Sequence, residues 1–443
     1  MSNKKIKMLF SATVLPSFLH NNKNRSGILF ASLNLLKEFS KYEDVEITLF
    51  YEYQTYKDIV KLQESGIVPE NCKFLNVEDV VPPSIIPFLD YLSDLSLKYA
   101  KGKNDNILKK ILRFFIYRAF RFFYNFALPH SNFKNVINNY NVFFSPCFKI
   151  HPLILSKENI KSYLLIYDLI PIKLAKYYKG FEEQLAGMEK IAKSINYKNT
   201  YFAISENTKK DIIEYRKGID PSHIVVSLLG ADDRFYCEKN KDVINRTKQK
   251  YGISADKKYI FSLCTLEPRK NLVFAIRNFL EFVKKNNITD FVFVLGGASW
   301  QKFPEILETQ INKFESAKDL IQTIGYVEDE DVPVLYSGAE FFVYPTLYEG
   351  FGLPVLEAMQ CGCPVITSDN SSMPEVIGDA GIMINPYSDE QMVQALEKMY
   401  FDSEFRNSCS QKGFERAKIF SWEKTSDIII NKIREDLNNE TPV

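Results

Sequence analysis

The residues best suited to chemistry lie in Thr346 to Ala358, which read TLYEGFGLPVLEA. Gly350 and Gly352 flank Phe351, so the backbone there can take unusual torsions and let a ligand approach closely. Pro354 suits the first turn of a helix, where its missing N–H is not needed. That helix start presents free N–H groups and a positive dipole end, which favour an anion such as phosphate. Two carboxylates, Glu349 and Glu357, bracket the turn. Touching a phosphate, they would repel it. They make sense if each accepts hydrogen bonds from hydroxyls on either side of the phosphates, a ribose diol on one side and a sugar ring on the other. For the glycines alone, an ordinary strand-to-helix turn explains as much.

Two further loops carry candidate groups. TLEPRKN, Thr265 to Asn271, sets Arg269 and Lys270 just before an expected helix. Arginine meets phosphate oxygens as a fork and lysine as a compact charge. A solvated basic pair at a turn is the plainer reading. Asp168, in YDLIP, closes an expected strand, where an acid can hold a sugar hydroxyl or simply cap the next segment.

Such loops need strands behind them. Short runs rich in β-branched and aromatic residues recur between helical segments, at Lys5–Val14, Val45–Tyr51, Cys72–Val77, Asn141–Ser145, Tyr163–Tyr167, Thr200–Ser205 and Ile224–Leu229. After the polar stretch Glu238–Lys250 the rhythm restarts at Tyr259–Cys264, Phe291–Leu295, Ile321–Ile324, Phe341–Tyr344 and Val365–Thr367. This alternation predicts α/β architecture with two doubly wound, mainly parallel sheets. The expected domains are residues 1–237, residues 238–420 and an amphipathic tail helix within 421–443. Ligands of such sheets sit beyond the strands' carboxyl ends, where all three loops fall. Two such sheets facing each other would make a cleft between the domains.

Composition sets bounds. The chain has 443 residues, 46% of them hydrophobic and 25% charged, which excludes a disordered chain or a coiled-coil rod. With 56 basic against 55 acidic residues the net charge is +1, which argues against a dedicated nucleic-acid binder. No apolar run reaches the roughly 18 residues a spanning helix needs, and Lys7 interrupts the only leader-like stretch, so a cytoplasmic protein is expected. Seven scattered cysteines read as reduced, mostly buried thiols. Asp329–Glu330–Asp331 reads as a helix start and not a metal site. The histidines His20, His130, His151 and His223 have no metal-like spacing, although His20 could touch an acceptor.

Taken together, EGFGLPVLE (Glu349–Glu357), CGCPVITSDNSSMPEVIGDAGIMINP (residues 361–386), TLEPRKN, YDLIP, AISENTKKDI and LLGADDRFY resemble the retaining glycosyltransferases of family four. That family has the two-Rossmann-domain GT-B fold, and its bacterial members include polysaccharide sugar transferases. The resemblance runs from about residue 160 to 425. It implies a nucleotide-sugar donor, Glu357 on the ribose, and Glu349 with Gly350, Phe351, Gly352 and Leu353 at the donor sugar. Lys270 and Arg269 would neutralise the diphosphate, Tyr326 and Val327 would contact the base, and Gly27 and Gly296 would let the donor approach. Asp168 would face the sugar, and the tail helix would return to the N-terminal domain. No metal or further cofactor is implied. The acceptor would be a glycan or lipid-linked glycan, and the donor a GDP-mannose-like or UDP-sugar. There are departures. Many relatives carry arginine where this chain has Cys264, many carry histidine where it has Tyr167, and the first loop keeps only Gly27 of the usual paired glycines.

Residues 97–126 pose a separate question. Eight basic residues stand against one acid, Asp105, interleaved with Phe114, Phe115, Phe120, Phe122, Phe123 and Phe126. Lys110, Arg113, Tyr117 and Arg121 share one helical face, with a broad apolar face opposite. Such a helix either buries that face in a core or lies on an anionic membrane, which would put the protein at the membrane's inner face. The other readings of the chain are an inactive GT-B scaffold, a membrane-recruited partner protein, or a phosphorylase or epimerase of the same fold.

Overall fold

The computed structural model describes residues 5–20, 27–51, 56–98, 107–127, 131–178, 182–297, 305, 308–309, 311–312 and 318–439. The side chain of His20, residue His130 and the basic residues Lys101 and Lys103 lie outside them, as do Asp105 and the side chains of Lys98, Lys110, Arg113, Tyr117, Phe120 and Arg121.

Among the described residues, thirteen strands form two sheets. The first contains β1 (Ile6–Ser11), β2 (Val45–Phe50), β3 (Lys73–Phe74), β4 (Val142–Ser145), β5 (Lys161–Ile166), β6 (Tyr201–Ala203) and β7 (Ile224–Val226), in the order β3-β2-β1-β4-β5-β6-β7. The second contains β8 (Lys258–Leu263), β9 (Phe291–Gly296), β10 (Ile321–Gly325), β11 (Phe341–Tyr344), β12 (Val365–Ser368) and β13 (Ile382–Ile384), in the order β10-β9-β8-β11-β12-β13. All pairings of the second sheet are parallel. The doubly wound expectation holds in both sheets. Each starts in the middle, winds outward and reverses, so β1/β4 and β8/β11 are switch points.

By its internal contacts the chain divides into two compact units. One comprises residues 1–165, 198–201 and 429–443, and the other residues 166–197 and 202–428. In the first, Phe10 stacks on Phe144 at 5.7 Å and Phe39 meets both rings edge-on. The helix Trp422–Asn438 contributes its last turns here. Arg434 grips both carboxylate oxygens of Asp44 at 2.8 and 2.7 Å, Asp436 accepts from Tyr163 and Thr200 at 3.1 Å, and Ile429, Ile430, Ile433 and Leu437 are buried.

In the second unit, helix Leu272–Lys285 follows β8 and buries Leu272, Ala275, Ile276, Phe279 and Phe282, the spacing of a core-facing stripe. Phe279 packs on Phe293 of β9 at 5.4 Å. This helix anchors the turn before it, which carries Arg269 and Lys270.

A pair of helices, Ile86–Lys98 and Ile107–Ala127, is inserted between β3 and β4. The first buries Leu89 and Leu92. The second does not place its apolar face in a core: Leu108, Ile111, Leu112, Phe115, Phe122 and Phe126 are exposed, and Ile116 is buried.

Candidate active site

The site grows from the β8/β11 switch point. After β8, Pro268–Lys270 makes a tight turn, and Asn271 takes a left-handed conformation (φ 60°) before the helix begins. After β11 runs Pro345–Gly352. The two loops are stitched together, since Leu347 N–H donates to the Arg269 carbonyl at 2.8 Å and Arg269 Nη1 donates to the Tyr348 carbonyl at 3.0 Å. Ser368 and Ser372 donate to the carbonyls of Thr346, Glu349 and Phe351.

Glu349 sits at the centre. Its Oε1 accepts from Lys270 Nζ at 2.6 Å, Arg269 Nη1 at 2.7 Å, Thr346 Oγ1 at 2.9 Å and the Tyr344 hydroxyl at 3.0 Å. Lys270 also donates to the Tyr344 hydroxyl at 2.5 Å, and Arg269 pairs with Glu267 at 2.8 Å. Glu349, Lys270 and Glu267 are buried. Burial alone would push the Glu349 carboxyl up, but the charges and hydrogen bonds of Arg269 and Lys270 outweigh it and hold the group at about 2. Burial likewise disfavours the Arg269 cation, and Glu349 and Glu267 reverse that, raising its pKa.

Asp168 joins this cluster. Its Oδ1 accepts the Ile170 N–H at 2.9 Å, which caps the next short helix as a turn residue would. Burial raises its carboxyl, Arg269 and Lys270 lower it, and Glu349 raises it. Gly350 lies directly on it: a Cβ there would stand 2.4 Å from the Tyr167 carbonyl oxygen and 2.9 Å from Asp168 Cβ. The missing side chain at Gly350 is thus used by the protein's own backbone, and its carbonyl accepts from Ser205 at 2.6 Å. Gly352 needs its freedom for another reason, with φ at 112° and the Met373 methyl in the way of any Cβ. Phe351 turns its ring into the core against Phe420, leaving the helix start at Leu353 with backbone alone to offer.

Glu357 lives in different surroundings. Tyr336 donates to it at 3.4 Å. Burial pushes its carboxyl up to about 7, Arg234 opposing and Asp232 adding to the rise. One motif therefore holds two carboxylates moved in opposite directions, the pattern of groups with divided roles. Gly296 ends β9 against Leu263 and Val327, each 3.1 Å from where its Cβ would be, so Gly296 and the buried Val327 come together beside Tyr326. Gly27 opens helix Gly27–Phe39 of the first unit. Cys264 is buried and its thiol is pushed up to about 12. Asp331 precedes helix Val332–Gly338, but its carboxylate takes Lys250 at 2.5 Å and Tyr251 at 2.8 Å and does not cap.

Several site residues escaped the sequence reading. Tyr344 and Thr346 look like strand-end core residues until Glu349 is placed between them. Tyr348 donates to both oxygens of Asp211 at 2.8 and 2.6 Å, and Lys173 pairs with Asp211 at 2.6 Å. These partners come from separate segments, and only the AISENTKKDI resemblance marked one of them.

Two doubly wound parallel sheets, the second with an anion-ready helix start and a cation-bound carboxylate at its switch point, are the architecture of the GT-B fold. Residues 243–416 match the family model described as Glycosyl transferases group 1. The chain is 28% identical over 308 residues to O-antigen chain mannosyltransferase B of Escherichia coli, covering 69% of this chain and 72% of that protein. It is 30% identical over 276 residues to the serotype-specific mannosyltransferase WbdA of Escherichia coli, covering 61% of this chain but only 33% of WbdA. Among solved structures, Anabaena HepE in complex with UDP and glucose superposes with a TM-score of 0.62 at 14% identity, over 98% of this chain and 100% of that one. WaaG, a glycosyltransferase involved in lipopolysaccharide biosynthesis, gives a TM-score of 0.60 at 16% identity, over 96% and 99%.

Proposed function

We propose that this protein is a retaining hexosyltransferase, carrying mannose from GDP-mannose or a related sugar nucleotide to a glycan or lipid-linked glycan in surface polysaccharide synthesis. It would work on the cytoplasmic side of the membrane. The observation that carries the reading is the Glu349 carboxylate held by Lys270 and Arg269 at the β8/β11 switch point. The mannosyltransferase relatives favour mannose.

On this reading the diphosphate takes Arg269 and Lys270, with the N-terminus of helix Leu353–Gln360 adding its dipole. The four donors to Glu349 all reach Oε1, which leaves Oε2 for a hydroxyl of the sugar. Glu357 accepts from the ribose hydroxyls, and Asp168 meets the sugar from the other side. The bond between the sugar's anomeric carbon and the diphosphate oxygen breaks, its electron pair going to that oxygen. The acceptor hydroxyl bonds to the anomeric carbon on the same face, and the departing phosphate oxygen takes its proton. The developing negative charge is met by two side-chain cations and a helix dipole, and the reading calls for no metal ion.

The test is a panel of GDP-, UDP-, dTDP- and ADP-sugars, scored for thermal stabilisation and slow donor hydrolysis, with Glu349→Ala and Lys270→Ala alongside. One stabilising, hydrolysed donor whose turnover is lost in Lys270→Ala supports the reading. Stabilisation by none of them refutes it.

A further inference from the structure

We infer that the second inserted helix, Ile107–Ala127, is a docking surface for an anionic lipid bilayer. Three observations meet on it. First, Leu108, Ile111, Leu112, Phe115, Phe122 and Phe126 follow helical spacing along one stripe and are exposed, Leu108 by 71%, Phe115 by 63%, Phe122 by 66% and Phe126 by 57%. Isolated exposed apolar residues are ordinary, but a continuous stripe of large ones marks an interaction surface. Second, the helix carries five basic residues, Lys109, Lys110, Arg113, Arg118 and Arg121, and no acid. Third, Arg118 stands over the Phe114 ring at 5.4 Å, which keeps a cation beside the apolar stripe, at the level where lipid phosphates would lie.

Charge selects the occupant. A second copy seated stripe to stripe would cover the phenylalanines but offer the five cations no counter-charge, since the helix carries no acid. An anionic headgroup layer satisfies the cations while the acyl boundary takes the phenylalanines. The first inserted helix braces this one through Phe88, whose ring meets Phe123 edge-on at 4.9 Å. Among the described residues no helix is long and apolar enough to cross a membrane, so this helix lies in the interface plane.

The inference does not rest on the donor reading and is tested separately. The full chain is floated with vesicles of equal parts phosphatidylglycerol and phosphatidylcholine, and with phosphatidylcholine alone. The variant combines Phe115→Ser, Phe122→Ser and Phe126→Ser. All three side chains are exposed, so an unchanged melting curve checks that the fold is intact. The expected result is co-flotation with the anionic vesicles only, weakened by salt, and reduced at least about a hundredfold in the variant. A second measurement follows the emission of Phe122→Trp, which shifts blue on the anionic vesicles. Absence of flotation and of any blue shift, equal binding to both vesicle types, or a variant that floats as well as the parent overturns the inference. So does a concentration-dependent dimer in light scattering that the variant dissociates.

Discussion

Replacing Glu349 by glutamine removes a charge and keeps the shape, which isolates what the cation cluster does. The Glu349 carboxyl is lowered from an ordinary 4.5 to about 2. At about 1.4 kcal/mol per tenfold change in protonation, that difference corresponds to about 3 kcal/mol of folding stability. The sign follows from the depressed value: the contribution is complete above about pH 4.5 and is lost as the pH falls toward 2. Urea melts of wild type and Glu349→Gln should differ by about 3 kcal/mol at neutral pH, the gap narrowing to about half of that near pH 3. A gap that stays constant between pH 7 and 3 would mean that the carboxylate charge is not what Lys270 and Arg269 stabilise. A gap that widens on acidification would refute the linkage outright. The same variant should lose donor hydrolysis at every pH, since glutamine cannot hold the two cations in place.

Other outcomes can be checked in parallel. Lys270→Ala should slow donor hydrolysis by roughly a hundredfold to a thousandfold, the scale for losing one charge-stabilising group at a transition state; initial rates at saturating donor measure it. Glu357 is raised to about 7, so its contribution to stability is present below about pH 4.5 and lost as the pH rises through 7. Glu357→Gln should therefore flatten the decline in melting temperature between pH 5 and 8 while weakening nucleotide binding. Gly350→Ala drives a methyl into the Tyr167 carbonyl and should destabilise by about 1–3 kcal/mol in urea melts. Tyr348→Phe leaves Asp211 with Lys173 and should cost about 1 kcal/mol of stability, read in the same way.

Much of this architecture could be read from residues alone because parallel strands buried on both faces announce themselves as unbroken apolar runs. Phe341–Tyr344 and Phe291–Gly296 are entirely buried and stand where the runs predicted. Ile382–Ile384 went unnoticed, since three residues between a glycine and a turn show no period. Cys72–Val77 shrank to Lys73–Phe74 at the sheet's edge, where a single neighbour supplies the ladder. The charged members of the site were visible because Glu349 stands beside glycines, and Arg269 and Lys270 side by side, at strand ends. Tyr344, Thr346 and Ser205 were not, because a tyrosine or serine shows what it bonds only once distant segments meet. For Ile107–Ala127, periodicity gave a stripe but could not say whether protein covered it.

The first compact unit is drawn from residues 1–165, 198–201 and 429–443, whereas the second is complete at residue 428. A ribosome therefore finishes the second before it has supplied the last piece of the first. Between residues 165 and 429 the elongating chain needs on the order of ten to fifty seconds. Throughout that interval the surfaces that Ile429, Ile430, Ile433 and Leu437 will bury have no cover, and Asp44 has not met Arg434. A chain stopped at residue 428 would hold every residue of the second unit and leave the first without the segment that carries Ile429, Ile430, Ile433, Arg434 and Leu437.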